Sequence, residues 1–315
     1  NHMPWLLNEY AHSRGNSIGH LYEYWEAIRA YDNVLGGYIW DFVDQAQKWP
    51  CDPSCGSDHV FIYGGDMNDY DPSDNSFCCN GVIAADRSLH PHAYEVAYQH
   101  RSILTSADPQ AALNGKVEIY NENFFIDLSR YMMEWDVEVD GVRVLAGAVS
   151  SLKVAPQEKV SVELGFNEAD IREASGYEDL SRHDVYLNVR YMLKKADGIL
   201  PAGSEVAYDQ ICLNEAAMPV FDAAAHAGVP VYAADGDLHT FSGEMTWHGA
   251  DGCRSLPWKA VFDAEKGALV SYIVGKDEFI SEPLMPCFGR AVTENDLGAG
   301  FEKKLSGWLY PDFKV

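Results

Sequence analysis

A glutamate and a histidine stand three residues apart directly after the first apolar run of the chain. The run Trp5-Leu6-Leu7 predicts a strand, with Glu9 at its end and His12 in the loop beyond. In a parallel sheet this position is the carboxyl edge, where (β/α) barrels build their active sites. The placement favours carboxylate chemistry by Glu9, with His12 near enough to orient or tune it. A glutamate at a strand end also serves commonly as a helix cap or a salt-bridge partner.

A second apolar run ends in an aromatic residue beside a carboxylate. Residues 34–43 are mostly apolar, and the run closes on Trp40 and Asp41, with Asp44 beyond. An aromatic face suits the apolar side of a sugar ring, and carboxylates suit its hydroxyl groups. The two strand ends therefore favour a carbohydrate site. We interpret Asp41, Asp44 and Asp66 as structural residues at this edge.

The elements that position these residues alternate between strand and helix over residues 1–102. Leu21, Trp25 and Ile28 recur at helical spacing after the first strand, and a further helix is predicted after Pro91. Apolar strands that alternate with amphipathic helices predict a right-handed parallel α/β layout.

The hydrophobic period changes from helical to two at about Ile103, which predicts an all-β region up to residue 213. Asp140-Gly141 lies between two predicted strands and is a type I′ hairpin signal. About seven short strands, with Trp135 on an early one, fit an immunoglobulin-like sandwich. The predicted strands include Lys116–Tyr120, Met132–Val139, Val142–Val149, Lys159–Leu164, Asp184–Met192 and Ser204–Leu213.

Residues 214–230 are rich in alanine and predict a linker or an irregular entry segment. After it, Lys259–Asp263, Ala268–Val274 and Glu278–Ile280 predict an antiparallel meander. This meander would begin a further β domain that has too few strands to close a large sandwich.

The overall charge and hydropathy exclude two classes of partner. The 315 residues include 23 Lys and Arg against 48 Asp and Glu, a net charge of −25, without the cationic clusters that bind nucleic-acid phosphates. No apolar stretch approaches the roughly 20 residues that a membrane-spanning helix needs. We interpret the seven cysteines mostly as reduced thiols, with Cys51 and Cys55 the only local pair suited to a disulfide.

Five short motifs together carry a resemblance to a known family. They are Asn8-Glu9-Tyr10-Ala11-His12, Gly36-Gly37-Tyr38-Ile39-Trp40-Asp41, Tyr63-Gly64-Gly65-Asp66, Phe77-Cys78-Cys79-Asn80-Gly81, and Ala85-Asp86-Arg87 with His90-Pro91. In this order and approximate spacing they resemble the glycoside hydrolase family 2 β-galactosidases. The resemblance is strongest over residues 5–100 and weaker over the remainder.

The resemblance implies roles for five residues. Glu9 matches the catalytic nucleophile of a retaining, double-displacement mechanism, and His12 and Trp40 match residues of the galactose subsite. Phe77, through its backbone carbonyl, and Asn80, through its side chain, match ligands of a sodium ion. Magnesium is also expected in the intact enzyme, with its ligands and the general acid upstream of Glu9.

Two departures from the family pattern lie close to these positions. Phe42 stands where a second tryptophan is common, and Cys79 stands where a methionine is common. We therefore expect the shape of the sugar subsite to differ from that of typical relatives.

A complete (β/α)8 TIM barrel needs about 250 residues, so the resemblance predicts that the chain is a fragment. Residues 1–102 would hold the last strand-helix units of the barrel, 103–213 an immunoglobulin-like β-sandwich, and 214–315 the start of a large terminal β-sandwich domain. The intact protein is expected to be a homo-oligomer that hydrolyses terminal non-reducing β-D-galactose residues. The isolated fragment is expected to be inactive, because its general acid is missing.

Other functions on the same architecture stay open at this point. β-Glucuronidase and β-mannosidase are related activities, and a non-catalytic carbohydrate-binding or assembly fragment is a different class. Residues 1–102 carry 5 Lys and Arg against 14 Asp and Glu, which disfavours an anionic substrate such as a uronic acid.

Overall fold

The computed structural model describes residues 3–71, 73, 77–217, 229–249 and 252–309 of the chain. The chain forms two compact units, Asn1–Pro219 and Val220–Val315. The first part of the first unit alternates between strand and helix. Its elements are β1 (Trp5–Tyr10), α1 (Leu21–Ala30), β2 (Val34–Ile39), β3 (Gln47–Pro50), β4 (His59–Ile62) and α2 (His92–Gln99).

Strands β1 and β2 form a parallel pair whose carboxyl ends coincide. Tyr10 of β1 pairs with Ile39 of β2, so the last residues of both strands reach the same edge. The strands approach closely at Gly37, where a Cβ would lie 2.7 Å from the Tyr10 ring. Tyr10 also belongs to a small core with the buried Leu21 of α1. The predicted parallel arrangement with flanking helices is confirmed for this part of the chain.

An irregular segment adds a third stretch of chain beside the two strand ends. Val43 pairs in parallel with Ile83, and the Asp44 N–H donates to the Ile83 carbonyl at 3.0 Å. Gly81 is needed in this segment because a Cβ there would lie 2.2 Å from the Asp44 nitrogen. The segment 80–84 is thus packed directly against the chain that leaves β2.

The second part of the first unit consists mainly of antiparallel strands. Its elements are β5 (Ile103–Ser106), α3 (Pro109–Ala112), β6 (Lys116–Asn121), β7 (Tyr131–Val139), β8 (Val142–Val149), β9 (Lys159–Glu163), α4 (Glu168–Ser175), β10 (Val185–Leu193) and β11 (Glu205–Asn214). The strand order is β11-β10-β7-β8 in one sheet and β5-β6-β9 in the other. Side chains from both sheets share one core, which includes the fully buried Ile119, Met133, Val137 and Leu187.

The hairpin predicted at Asp140-Gly141 is confirmed. The φ angles of the two residues are 50° and 76°, as a type I′ turn requires, and Val139 pairs with Val142 across the turn. The strand Val142–Val149 has its predicted bounds. The other strands predicted in this part differ from the observed ones by a single residue at one or both ends.

Two ion pairs join the α/β part of the first unit to its antiparallel sheets. Arg29 of α1 donates two hydrogen bonds to Glu122, at 2.8 and 2.9 Å. Arg101, just after α2, donates to Asp209 of β11 at 2.7 Å, and the two side chains are only 10% and 5% exposed. Burial raises the pKa of the Asp209 carboxyl, and the positive charge of Arg101 opposes that shift. Charged groups therefore anchor β11 to the end of α2.

The second unit is an antiparallel sheet followed by short helices. Its elements are β12 (Val231–Asp235), β13 (Leu238–Gly249), β14 (Gly252–Asp263), β15 (Ala268–Val274), β16 (Asp277–Glu278), α5 (Glu294–Ala299), α6 (Phe301–Lys304) and α7 (Ser306–Leu309). The strands follow one another in chain order across the sheet. No helix in the described parts of the chain is long and apolar enough to cross a membrane.

The predicted meander in the second unit is confirmed, with corrected bounds. Residues 259–263 are the end of the longer strand β14. The predicted strand Glu278–Ile280 is observed as Asp277–Glu278, one residue earlier at its start and two at its end. The prediction missed β12, β13 and the three helices. Of the predicted linker 214–230, Asn214 belongs to β11, and 218–228 lie outside the described residues.

Candidate active site

Glu9 lies at the carboxyl end of β1, and its side chain is 56% exposed. The chain turns at Ala11, which has a φ of 45°. Nε2 of His12 lies 4.0 Å from Oε1 of Glu9. The ring of His12 also faces Phe77, with ring centroids 5.6 Å apart. The structure therefore brings Phe77, which is 65 positions further along the chain, beside His12 and next to Glu9.

Trp40 follows β2 at the same edge of the sheet and is 42% exposed. The peptide bond between Trp40 and Asp41 is cis. Ser13 is buried, and its N–H donates to the Trp40 carbonyl at 2.8 Å. Its hydroxyl lies within hydrogen-bonding distance of the carbonyl oxygens of Trp40 and Asn80. Ser13 thus connects the loop after Glu9 to the segments that carry Trp40 and Asn80.

Each of the three aspartates at this edge accepts a hydrogen bond from a backbone N–H. Asp41 and Asp66 accept backbone N–H groups within their own turns, at 2.6 and 2.9 Å. Asp44 accepts the Gly81 N–H at 2.8 Å and lies 2.8 Å from Nε2 of His90. These contacts support the structural interpretation of all three carboxylates.

Asn80 is 1% exposed, and its side-chain oxygen is buried without a hydrogen-bond partner among the described residues. Its Nδ2 donates to the Phe77 carbonyl at 2.6 Å, whereas its Oδ1 accepts no hydrogen bond from the residues that the structure describes. Burying such an oxygen is costly unless a cation or a water molecule satisfies it. Amide and backbone carbonyl oxygens are also the ligands that hard cations prefer. The donor set at Asn80 and Phe77 therefore fits a cation.

A metal site built from ionisable ligands is absent from the described ranges. No group of three or more His, Cys, Asp or Glu side chains in those ranges could hold a metal ion. The site at Asn80 thus differs in kind from one that carboxylates or imidazoles would form.

Two neighbouring cavities lie beside the loop that precedes Asn80. The larger has a volume of about 520 Å³, and the smaller about 290 Å³. Cys78 and Asp66 line both, whereas Glu9, His12 and Trp40 line neither. The exposed edge that carries Glu9 is therefore separate from these two cavities.

The sequence prediction missed Ser13 and gave no role to His90. Ser13 meets carbonyl groups that are 27 and 67 positions away in the chain, and His90 meets a carboxylate 46 positions away. No local pattern marks either residue, because each acts through a contact that only the fold creates.

Family models match both parts of the first unit. The model of the glycosyl hydrolases family 2 TIM barrel domain matches residues 1–104, and that of β-galactosidase domain 4 matches residues 117–214. These matches confirm the resemblance to glycoside hydrolase family 2 that the motifs predicted. The edge that holds Glu9 lies within the part matched by the barrel domain.

Three curated relatives are similar to nearly the whole chain. A β-galactosidase of Priestia megaterium is 35% identical over 97% of this chain, and one of Clostridium acetobutylicum is 30% identical over 99%. A third, from Halalkalibacterium halodurans, is 31% identical over 94%. The chain spans 27%, 32% and 26% of the length of these relatives.

Among solved structures, the crystal structure of an exo-chitosanase of Amycolatopsis orientalis is similar to part of this chain, at 11% sequence identity. The matched region covers 58% of this chain and 20% of the exo-chitosanase chain. Its TM-score is 0.26, too low to support any argument.

Proposed function

We propose that this chain supplies the nucleophile side of the active site of a retaining β-galactosidase, with Glu9 as the nucleophile. The observation that carries the proposal is the exposed Glu9 carboxylate at the carboxyl end of β1, beside His12 and on the edge that holds Trp40. The three curated relatives, each named a β-galactosidase, support a β-galactoside as the substrate.

The proposed reaction is a double displacement at the anomeric carbon. Glu9 attacks this carbon while the bond to the leaving oxygen breaks, and a general acid supplies the proton to that oxygen. Water then hydrolyses the glycosyl-enzyme with the same acid acting as base. Such enzymes hold the two carboxyl groups about 5–5.5 Å apart. The second carboxyl group would come from sequence outside this chain.

We further propose that Trp40 and His12 bind the sugar. The half-exposed Trp40 ring offers an apolar surface to one side of galactose, and His12 lies where it can contact a hydroxyl group beside Glu9. Phe42 stands where the family resemblance implies a tryptophan, and it is 69% exposed near this edge. It would shape the same subsite with a smaller ring.

A sodium ion is the cation we propose for the site at Asn80. The Asn80 Oδ1 and the Phe77 carbonyl would supply two oxygen ligands, and a bound cation would attract a sugar hydroxyl to this edge. The remaining ligands of the sodium ion, and all the ligands of a magnesium ion, would come from groups other than Asn80 and Phe77. The orphaned oxygen of Asn80 supports this assignment.

The proposed architecture extends the observed elements. The α/β part would be the last strand-helix units of a (β/α)8 barrel, the antiparallel sheets an immunoglobulin-like sandwich, and the second unit the start of a terminal β-sandwich. We also propose that the intact protein is a homo-oligomer. β-Glucuronidase, β-mannosidase and a non-catalytic carbohydrate-binding or assembly role are the alternatives.

The test uses the full reading frame that contains this chain. A galactoside with fluorine at C2 and a good leaving group should form a stable covalent adduct, and mass spectrometry should find it on the peptide that carries Glu9. The Glu9→Gln variant should bind galactose but form no adduct. An adduct on a different peptide would remove Glu9 from the nucleophile role.

The isolated chain provides a second test. It should not release nitrophenol from nitrophenyl β-galactoside above the level of its Glu9→Gln variant, because general acid catalysis and most of the subsite are missing. Turnover above that level would mean that another carboxylate of this chain, such as Asp41 or Asp66, completes the site.

A further inference from the structure

Two consecutive cysteines near the candidate cation site have converging thiol groups. The sulfur atoms of Cys78 and Cys79 lie 3.7 Å apart, and both thiols are reduced and half-buried. Consecutive side chains in an extended strand point to opposite faces. Here the chain turns at residues 77–78, which allows both sulfur atoms to lie on the same side.

The backbone on both sides of the thiol pair is held in place. The Cys78 carbonyl accepts the Gln45 N–H at 2.9 Å, and the Asn80 carbonyl accepts the Asp41 N–H at 2.6 Å. The Asn80 side chain also donates to the Phe77 carbonyl just before the pair. A ligand that needs both sulfur atoms would therefore meet a preorganised site.

The pair opens onto the two cavities described above. Cys78 lines both cavities, and Cys79 lines the smaller one together with Asp44, Asp66 and Asp86. No Lys or Arg among the described residues lines either cavity. Carboxylates repel anions, so the surroundings favour a neutral or cationic ligand that binds sulfur.

We propose that Cys78 and Cys79 form a dithiol site that binds trivalent arsenicals. An organic arsenoxide would form two As–S bonds, and its oxygen would leave as water with the two thiol protons. Arsenic stays trivalent, so the step needs neither an oxidant nor a reductant. The second As–S bond forms within one molecule, which makes the chelate much tighter than an adduct on one thiol.

A metal ion that needs four ligands is a poorer occupant of this pair. Structural zinc sites are almost always four-coordinate, and no cluster of three or more suitable side chains occurs in the described ranges. An arsenical that carries one organic group needs only the two sulfur atoms that the structure supplies.

The test uses phenylarsine oxide on the full 315-residue chain. Cys51 and Cys55 form a disulfide that reduction would turn into a competing dithiol, so both are first replaced by serine. Excess glutathione is present to displace arsenic from the single thiols of Cys212, Cys253 and Cys287. Intact mass measurement should show one adduct per chain, and 1,2-ethanedithiol should remove it.

Cys78→Ser and Cys79→Ser should each reduce the adduct at least tenfold, whereas Cys212→Ser is the matched control that should leave it unchanged. Equal labelling of the two single variants and the control would overturn the proposal.

Discussion

The guanidinium group of Arg101 lies 2.7 Å from the carboxylate of Asp209, 108 positions further along the chain. The same carboxylate accepts the Thr105 N–H at 2.7 Å, and the Tyr98 hydroxyl lies 3.3 Å from it. Asp209 therefore ties the end of α2 and the start of β5 to strand β11. Any tilt of the α/β part against the sheets would have to break this buried network.

Replacing Asp209 by alanine should strongly destabilise the first unit. The change leaves the Arg101 charge buried without its partner, which typically costs about 3–5 kcal/mol. Urea unfolding of the chain measures the loss. The matched control is Glu118→Ala, which removes an exposed pair with Lys159 and should cost less than about 1 kcal/mol. Similar losses for both variants would contradict the role assigned to Asp209.

Stability should fall as the pH drops below about 6.5, in part because of His100. Burial, reinforced by the charge of Arg29, holds the pKa of His100 below its ordinary value of 6.5. As pH falls through this value the unfolded chain takes up a proton that the folded chain does not, so unfolding becomes easier. His100→Gln should therefore lose less stability than the parent between pH 7.5 and 5.5. Parallel pH profiles for the two proteins would show that His100 does not contribute.

A methyl group at Gly81 should displace the segment that carries Asn80. In Gly81→Ala the new Cβ would lie 2.2 Å from the Asp44 nitrogen and 2.4 Å from the Ile83 carbonyl oxygen, and neither backbone atom can move aside freely. The expected loss is about 1–3 kcal/mol or more by urea unfolding. Gly64→Ala has open space around its Cβ and should change stability by less than about 0.5 kcal/mol.

The features that could be predicted from sequence are those that local patterns or family motifs encode. The Asp140-Gly141 turn was predictable because positive φ at two consecutive positions favours these residue types. Helix α5 carried an unused local signal: Thr293 and Asp296 form a capping box, and Gly300 ends the helix with a φ of 67°. The contact of Arg101 with Asp209 could not be predicted, since it depends on how two separate elements pack.

Some features of the candidate site could likewise be predicted from the sequence, and others could not. The alternation of strands and helices predicted that Glu9 and Trp40 lie at one edge of the sheet, because neighbouring parallel strands have their carboxyl ends at the same edge. The burial of Asn80, with its orphaned Oδ1, and the convergence of the two thiols next to it depend on a turn that the sequence alone does not specify.

Replacing Ser13 by alanine should loosen the edge of the sheet around Trp40. The Ser13 hydroxyl is buried between the carbonyl oxygens of Trp40 and Asn80, and its removal deletes these side-chain contacts while both oxygens keep a backbone N–H donor. The loss of a hydrogen bond whose acceptor keeps another donor typically costs about 0.5–1.5 kcal/mol, which urea unfolding of the chain should detect.

The matched control for Ser13→Ala is Ser204→Ala, because the Ser204 hydroxyl donates to one carbonyl in an exposed turn. This control should change the free energy of unfolding by less than about 0.5 kcal/mol. In the full-length protein Ser13→Ala should raise KM for a β-galactoside more than it lowers kcat, since the chemistry of Glu9 is untouched while the Trp40 surface shifts. A fall in kcat with unchanged KM would mean instead that Ser13 acts on Glu9, through the loop that carries His12.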